Sequence, residues 1–212
     1  MYPVRKMNHT SRVGVETGDR LTIIHLQSDD GTNCLTRALV VELASTLGNL
    51  SLNPRPLIIT GNQKFFSAGA DVSEIAILTS SVAYEFSQMG QQLMNAIERF
   101  PAPVYAVIHG YCMGGGLDLA LACRRRIASP HATFGHRGAV LGLLTGWGGT
   151  QRLPRLVGKT RALEIFTAAE KIDARKALRF GLIDAIADDP LAHAAQSIHG
   201  VTTDAIPAWH AE

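Results

Sequence analysis

Residues 111–122 place three consecutive glycines, Gly114, Gly115 and Gly116, directly before the apolar run Leu117-Asp118-Leu119-Ala120-Leu121-Ala122. Without a Cβ in the way, backbone N–H groups there can come close to a ligand. A helix starting at these glycines also turns the positive end of its dipole toward the same spot. Negative charge developing on a ligand oxygen is stabilised by that arrangement, and Asp118 lies about one helical turn from the central glycine. The stretch therefore reads as half of an oxyanion hole with an acid or base beside it.

A hole of that kind needs a second donor. Ala68-Gly69-Ala70-Asp71 follows a strand pattern and two phenylalanines, Phe65 and Phe66. Alone it is an ordinary turn. Together with the glycine run it supplies a second backbone N–H across a cleft, which polarising a carbonyl oxygen requires. Asp118 also has a plain reading, as a first-turn partner of the helix dipole. Its leucine neighbours argue instead for a desolvated carboxylate suited to proton transfer. His136 and Arg137 belong to a loop that can face the cleft. His109, at a strand end, reads as a core or supporting histidine.

Other chemistries are excluded by pattern. The loop from Gly146 to Pro154 matches neither G-x-x-x-x-G-K-[ST] nor G-x-G-x-x-G, and no G-x-S-x-G occurs. The eight histidines include no H-E-x-x-H, and the three cysteines, Cys34, Cys112 and Cys123, form no C-x-x-C, so no metal site is expected. A formal net charge of +2 and one short basic run, Arg124-Arg125-Arg126, do not describe a nucleic-acid binder. That run is expected to be a solvated or subunit-facing patch. No window reaches the apolar length of a membrane span, and the first ten residues lack the apolar core of a secretory signal. The expected compartment is the cytoplasm.

The elements that must position these residues follow from periodicity. Strands are expected at 21–26, 57–61, 104–108, 126–128 and 132–134. Thr32 or Asn33 is expected to cap a helix with an apolar stripe of Leu35, Leu39, Val40, Leu43, Leu47 and Leu50. A longer helix is expected over 82–100, with Phe86, Met89, Leu93, Ala96 and Ile97 inward, and a third over 115–123. Residues 65–71 read as a loop, 135–149 as a glycine-rich loop, and 200–212 as a frayed tail. The alternation of strands and helices implies an α/β domain with crossover connections, and 46% hydrophobic residues in 212 suffice for one core.

Several spaced motifs in order make the chain similar to the crotonase, or enoyl-CoA hydratase/isomerase, superfamily. They are Phe66-Ser67-Ala68-Gly69-Ala70-Asp71, residues 103–122 with the glycine run, Phe134-Gly135, Gly148-Gly149-Thr150-Gln151-Arg152-Leu153-Pro154, Gly158-Lys159, and 177–183 ending in Gly181-Leu182-Ile183. The resemblance implies a spiral of ββα units over residues 1–158 and a short helical C-terminal region over 159–212, assembled as a homotrimer or hexamer. It implies an acyl-CoA thioester as substrate, its carbonyl held by the N–H groups of Ala70 and Gly115, with no metal or organic cofactor. Ala68 and Val72 would line the adenine end of coenzyme A, and Gly114, His136 and Gly138 the substrate site.

The pattern departs from the family in four places. Asp118 stands where glutamate is usual and reaches one methylene less far. The position of the family's second acid aligns with Gly138, and no carboxylate occurs between Asp118 and Glu164. Arg124 replaces a common aspartate, and the family's C-terminal helices are expected to be missing or shortened after about Asp189. A lone carboxylate can move a proton between the α and γ carbons of an enoyl thioester, so isomerisation is expected ahead of hydration. The alternatives are C–C bond hydrolysis or decarboxylation on the same scaffold, and a non-catalytic binding protein.

Overall fold

In the computed structural model, which describes residues 10–198, two sheets share the chain by turns. The order is β1 (Ser11–Thr17), β2 (Thr22–Ser28), α1 (Arg37–Leu50), β3 (Leu57–Thr60), β4 (Phe65–Ser67), α2 (Val72–Ile75), α3 (Ser80–Glu98), β5 (Val104–Ile108), β6 (Tyr111–Met113), α4 (Gly115–Ala122), β7 (Arg125–Ala128) and β8 (Thr133–Gly135). A 3-10 turn at Gly138–Leu141 leads to α5 (Gly149–Val157), α6 (Lys159–Ala168), β9 (Ile172–Asp173), α7 (Ala174–Phe180), β10 (Ala185–Ile186) and α8 (Pro190–Ile198). One sheet runs β1-β2-β3-β5-β7-β10 and the other β4-β6-β8-β9. From β3 to β8 each pass thus lays a strand in the first sheet, a strand in the second, and then a helical segment. This is a spiral of ββα units.

The parallel strands β3 and β5 are buried along their whole length, as a sheet covered on both faces requires. Their side chains alternate between faces. Leu57, Ile59, Val104, Ala106 and Ile108 enter the main core with α1, α3 and α4. Ile58, Tyr105, Val107 and Ile127 form a second cluster with Ala194 and Ile198 of α8.

Several expectations are corrected. Thr36 caps α1, its side chain accepting from the Leu39 N–H, because Asn33 is buried at φ 52° and its amide donates to the Phe65 carbonyl. Phe65–Ser67 is a strand, paired with β6; its three residues are too short for alternation to reveal. For the same reason Tyr111–Met113 is a strand between β5 and the glycine run. Ala96 is exposed, and Met94 takes the inward place on α3. Arg126 is not solvated: its guanidinium is buried, lies 3.1 Å from Asp184, and donates to the carbonyls of Leu182 and Cys123. It ties the end of α4 to the approach to β10. The tail expected over 200–212 lies outside the described residues.

All three cysteines are free. Burial pushes the Cys123 thiol up to about 12 and the Cys112 thiol well above its usual value, with Cys34 raised too. The thiolate is the reactive form. At pH 8 a disulfide reagent is therefore expected to label partly exposed Cys34 first in the native protein, and Cys112 and Cys123 only after denaturant. Mass spectrometry of the labelled protein checks this.

Candidate active site

The Ala70 loop is fixed from below by side chains. Ser67 Oγ donates to the Asn33 carbonyl and accepts from the Gly69 N–H, and Asp71 caps α2 by accepting from the Ser73 N–H. Leu35 and Ala70 form an isolated parallel bridge in which the Leu35 N–H donates to the Gly69 carbonyl at 2.9 Å. In parallel pairing that pattern turns the Ala70 N–H away from Leu35.

The glycine run meets this loop directly. Gly69 has φ 101°, and a Cβ on it would stand 2.7 Å from the Met113 carbonyl oxygen and 3.1 Å from the Gly115 nitrogen. The Gly114 N–H is taken by the Gly135 carbonyl, and Gly115 begins α4. A Cβ on Gly115 would come within 3.2 Å of the Ala70 nitrogen. Two backbone N–H groups, from loops after β4 and β6, thus stand beside each other at the start of a helix.

Both border a cavity of about 730 Å³. Ala68, Val72, Gly114, Asp118, His136, Arg137 and Gly138 border it too, so the site residues expected from the sequence meet in one place. His109 does not, and burial holds its imidazole below the ordinary value. Among the described residues Asp118 is the only carboxylate on the cavity wall, and Arg137 and Lys171 sit exposed at it.

Asp118 is 2% exposed, between fully buried Leu117 and Leu119. Its Oδ2 accepts from the Thr145 hydroxyl, and its Oδ1 lies 3.7 Å from His136 Nε2. Gly149 packs against the carboxylate so closely that a Cβ there would stand 2.1 Å from Oδ1. His136 is buried, its ring edge-on to Phe166 at 5.3 Å. Gly138, the position aligned with the family's second acid, is closed: a Cβ would meet the Leu143 carbonyl oxygen at 2.6 Å.

Two residues of the site were not legible. Thr145 carried no signal, being one hydroxyl in a glycine-rich loop. Trp147 was visible as an aromatic in that loop, but its place was not. Its indole donates to the Phe86 carbonyl at 3.2 Å and lies over Gly115 and Gly90, where an added Cβ would press on the ring.

Comparisons with known proteins agree with this architecture. A family profile described as Enoyl-CoA hydratase/isomerase matches residues 16–208. A probable enoyl-CoA hydratase of Bacillus subtilis is 43% identical over 160 residues, covering 74% of this chain and 62% of that protein. A crotonyl-CoA hydratase of Syntrophomonas wolfei is 36% identical over 175 residues, covering 81% of this chain and 67% of that one. The crystal structure of an enoyl-CoA hydratase from Bacillus anthracis superposes with a TM-score of 0.83 at 32% identity, over 90% of this chain and 78% of that one. The chain thus spans about three-fifths of the Bacillus subtilis protein's length. With the profile matching most of its residues and the ββα spiral in place, the chain belongs to the enoyl-CoA hydratase/isomerase family.

Proposed function

We propose that this chain acts on enoyl-CoA thioesters by holding the thioester carbonyl between the N–H groups of Ala70 and Gly115 while Asp118 moves a proton at the α carbon. The observation that carries this reading is the pair of backbone donors from separate loops, with one buried carboxylate a helical turn behind them. Donors fixed before the reaction stabilise the enolate oxygen without reorganising, and each is worth about 10²–10³ in rate. Arg137 and Lys171 at the rim suit the phosphates of coenzyme A. The relatives' names, enoyl-CoA and crotonyl-CoA hydratase, support the substrate class.

Asp118 by itself suffices for isomerisation, taking a proton from the α carbon and returning it at the γ carbon. The closed position at Gly138 favours that reaction, since no second carboxylate fits there. Hydration needs, in addition, a water held at the β carbon. Turnover is measured with crotonyl-CoA, a 3-enoyl-CoA and a longer 2-enoyl-CoA. Conversion of at least one is expected. If none reacts and a β-diketone without coenzyme A is cleaved, C–C bond hydrolysis takes its place.

A further inference from the structure

Five buried side-chain polar atoms have no hydrogen-bond partner within the protein among the described residues, and two of them face each other in the cavity wall. They are Asp118 Oδ1 and His136 Nε2, 3.7 Å apart on side chains 2% and 8% exposed. That separation is too long for a direct hydrogen bond. Buried polar atoms normally find partners, so a pair left without them needs an explanation. The geometry supplies one. A water placed to the side of the Asp118–His136 line that donates to Oδ1 and accepts from Nε2–H satisfies both.

The surroundings leave the carboxylate one oxygen without a partner. Thr145 engages Oδ2, and Gly149 packs behind Oδ1. Phe166 holds the His136 ring edge-on. The glycine at 138 cannot be replaced as the source of a second acid without displacing the Leu143 carbonyl.

We propose that Asp118 Oδ1 and His136 Nε2 together hold the water that adds to the β carbon of a 2-enoyl thioester, so that a carboxylate–imidazole pair supports hydration. The inference rests on the enoyl-thioester reading above. His136 donates Nε2–H to the water oxygen, and Asp118 takes one water proton. The oxygen then bonds to C3 as the C2=C3 electron pair moves toward C2 and the carbonyl oxygen between Ala70 and Gly115. Asp118 delivers its proton to C2, and the carbonyl re-forms. Of the two water hydrogens, one ends on C2 and one on the new hydroxyl. Asp118 ends ionised as it began, and nothing is oxidised or reduced.

The test compares hydration of crotonyl-CoA with isomerisation of a 3-enoyl-CoA in the same preparation. His136→Phe keeps an aromatic edge against Phe166 but has no donor, and the hydration-to-isomerisation ratio is expected to fall about 10²-fold. His136→Gln keeps a donor, and the ratio is expected to stay within about tenfold of the wild type. Should His136→Phe not fold, His136→Leu replaces it. An unchanged ratio in the donor-less variant, or an equal fall in both, overturns the water site. So does a wild-type protein that isomerises without hydrating, which leaves the enoyl-thioester reading intact. A wild type that does neither removes that reading as well.

Discussion

Asp118→Asn is expected to lower turnover of enoyl-CoA thioesters about 10³-fold while the protein still folds. The substitution is isosteric, and an amide oxygen can still accept from Thr145, so the packing between Leu117 and Leu119 is kept. On the function proposed above, what is lost is the group that accepts and returns a proton. Turnover within threefold of wild type would place the proton transfer elsewhere. The family's more common glutamate is not expected to restore or improve activity. One more methylene drives the carboxylate toward Gly149, whose backbone already leaves no room for a Cβ beside Oδ1. Asp118→Glu is therefore expected to fall well below wild type, with lowered thermal stability measured alongside turnover.

The second large effect is at the paired N–H groups. Gly115→Ala and Gly115→Pro both put a Cβ 2.7 Å from Trp147 Cζ3, so both carry the same overpacking, about 1–3 kcal/mol of stability. Only proline also removes the N–H. As the first residue of α4, position 115 is one where a helix tolerates proline. Proline's ring Cδ also takes the place of the N–H hydrogen, so the difference between the two variants reports the lost donor together with the filled space in front of it. Gly115→Pro is expected to lose a further 10² or so in kcat relative to Gly115→Ala. Equal turnover in the two would move the oxyanion hole away from Gly115. Chemical denaturation of both variants separates the packing cost from the lost donor.

Much of the scaffold was legible because its signals are local. Fully buried strands such as Val104–Ile108 are short apolar runs, and α1 and α3 carry stripes at helical spacing. The second sheet was legible only at β8, where a strand was expected over 132–134. Its other strands, two or three residues long, are defined by neighbours far along the chain, so Phe65–Ser67 and Tyr111–Met113 read as loop and turn. The cap at Thr36 was displaced for a similar reason. Asn33 is held by carbonyls of β4, a contact over about thirty residues that no local rule foresees. Arg126 reads as surface charge beside two other arginines, and becomes a buried tie only when Asp184 and the Leu182 carbonyl are brought to it.

The candidate site divides along the same line. By itself the sequence determined that a glycine run precedes a helix with one carboxylate on its first turn, and that a second glycine-containing loop follows an earlier strand. Those are matters of residue type and spacing, and spacing along a helix or a tight turn sets distance directly. Only the tertiary structure decided that the two loops touch, that Thr145 engages Asp118, and that His136 faces the carboxylate's other oxygen at 3.7 Å. It also closed Gly138 with a backbone carbonyl five residues further on. These are distances between segments joined by loops, and a loop's sequence does not say where its ends are brought. The sheets do, by pairing β4, β6 and β8 side by side so that their three following loops converge on one cavity.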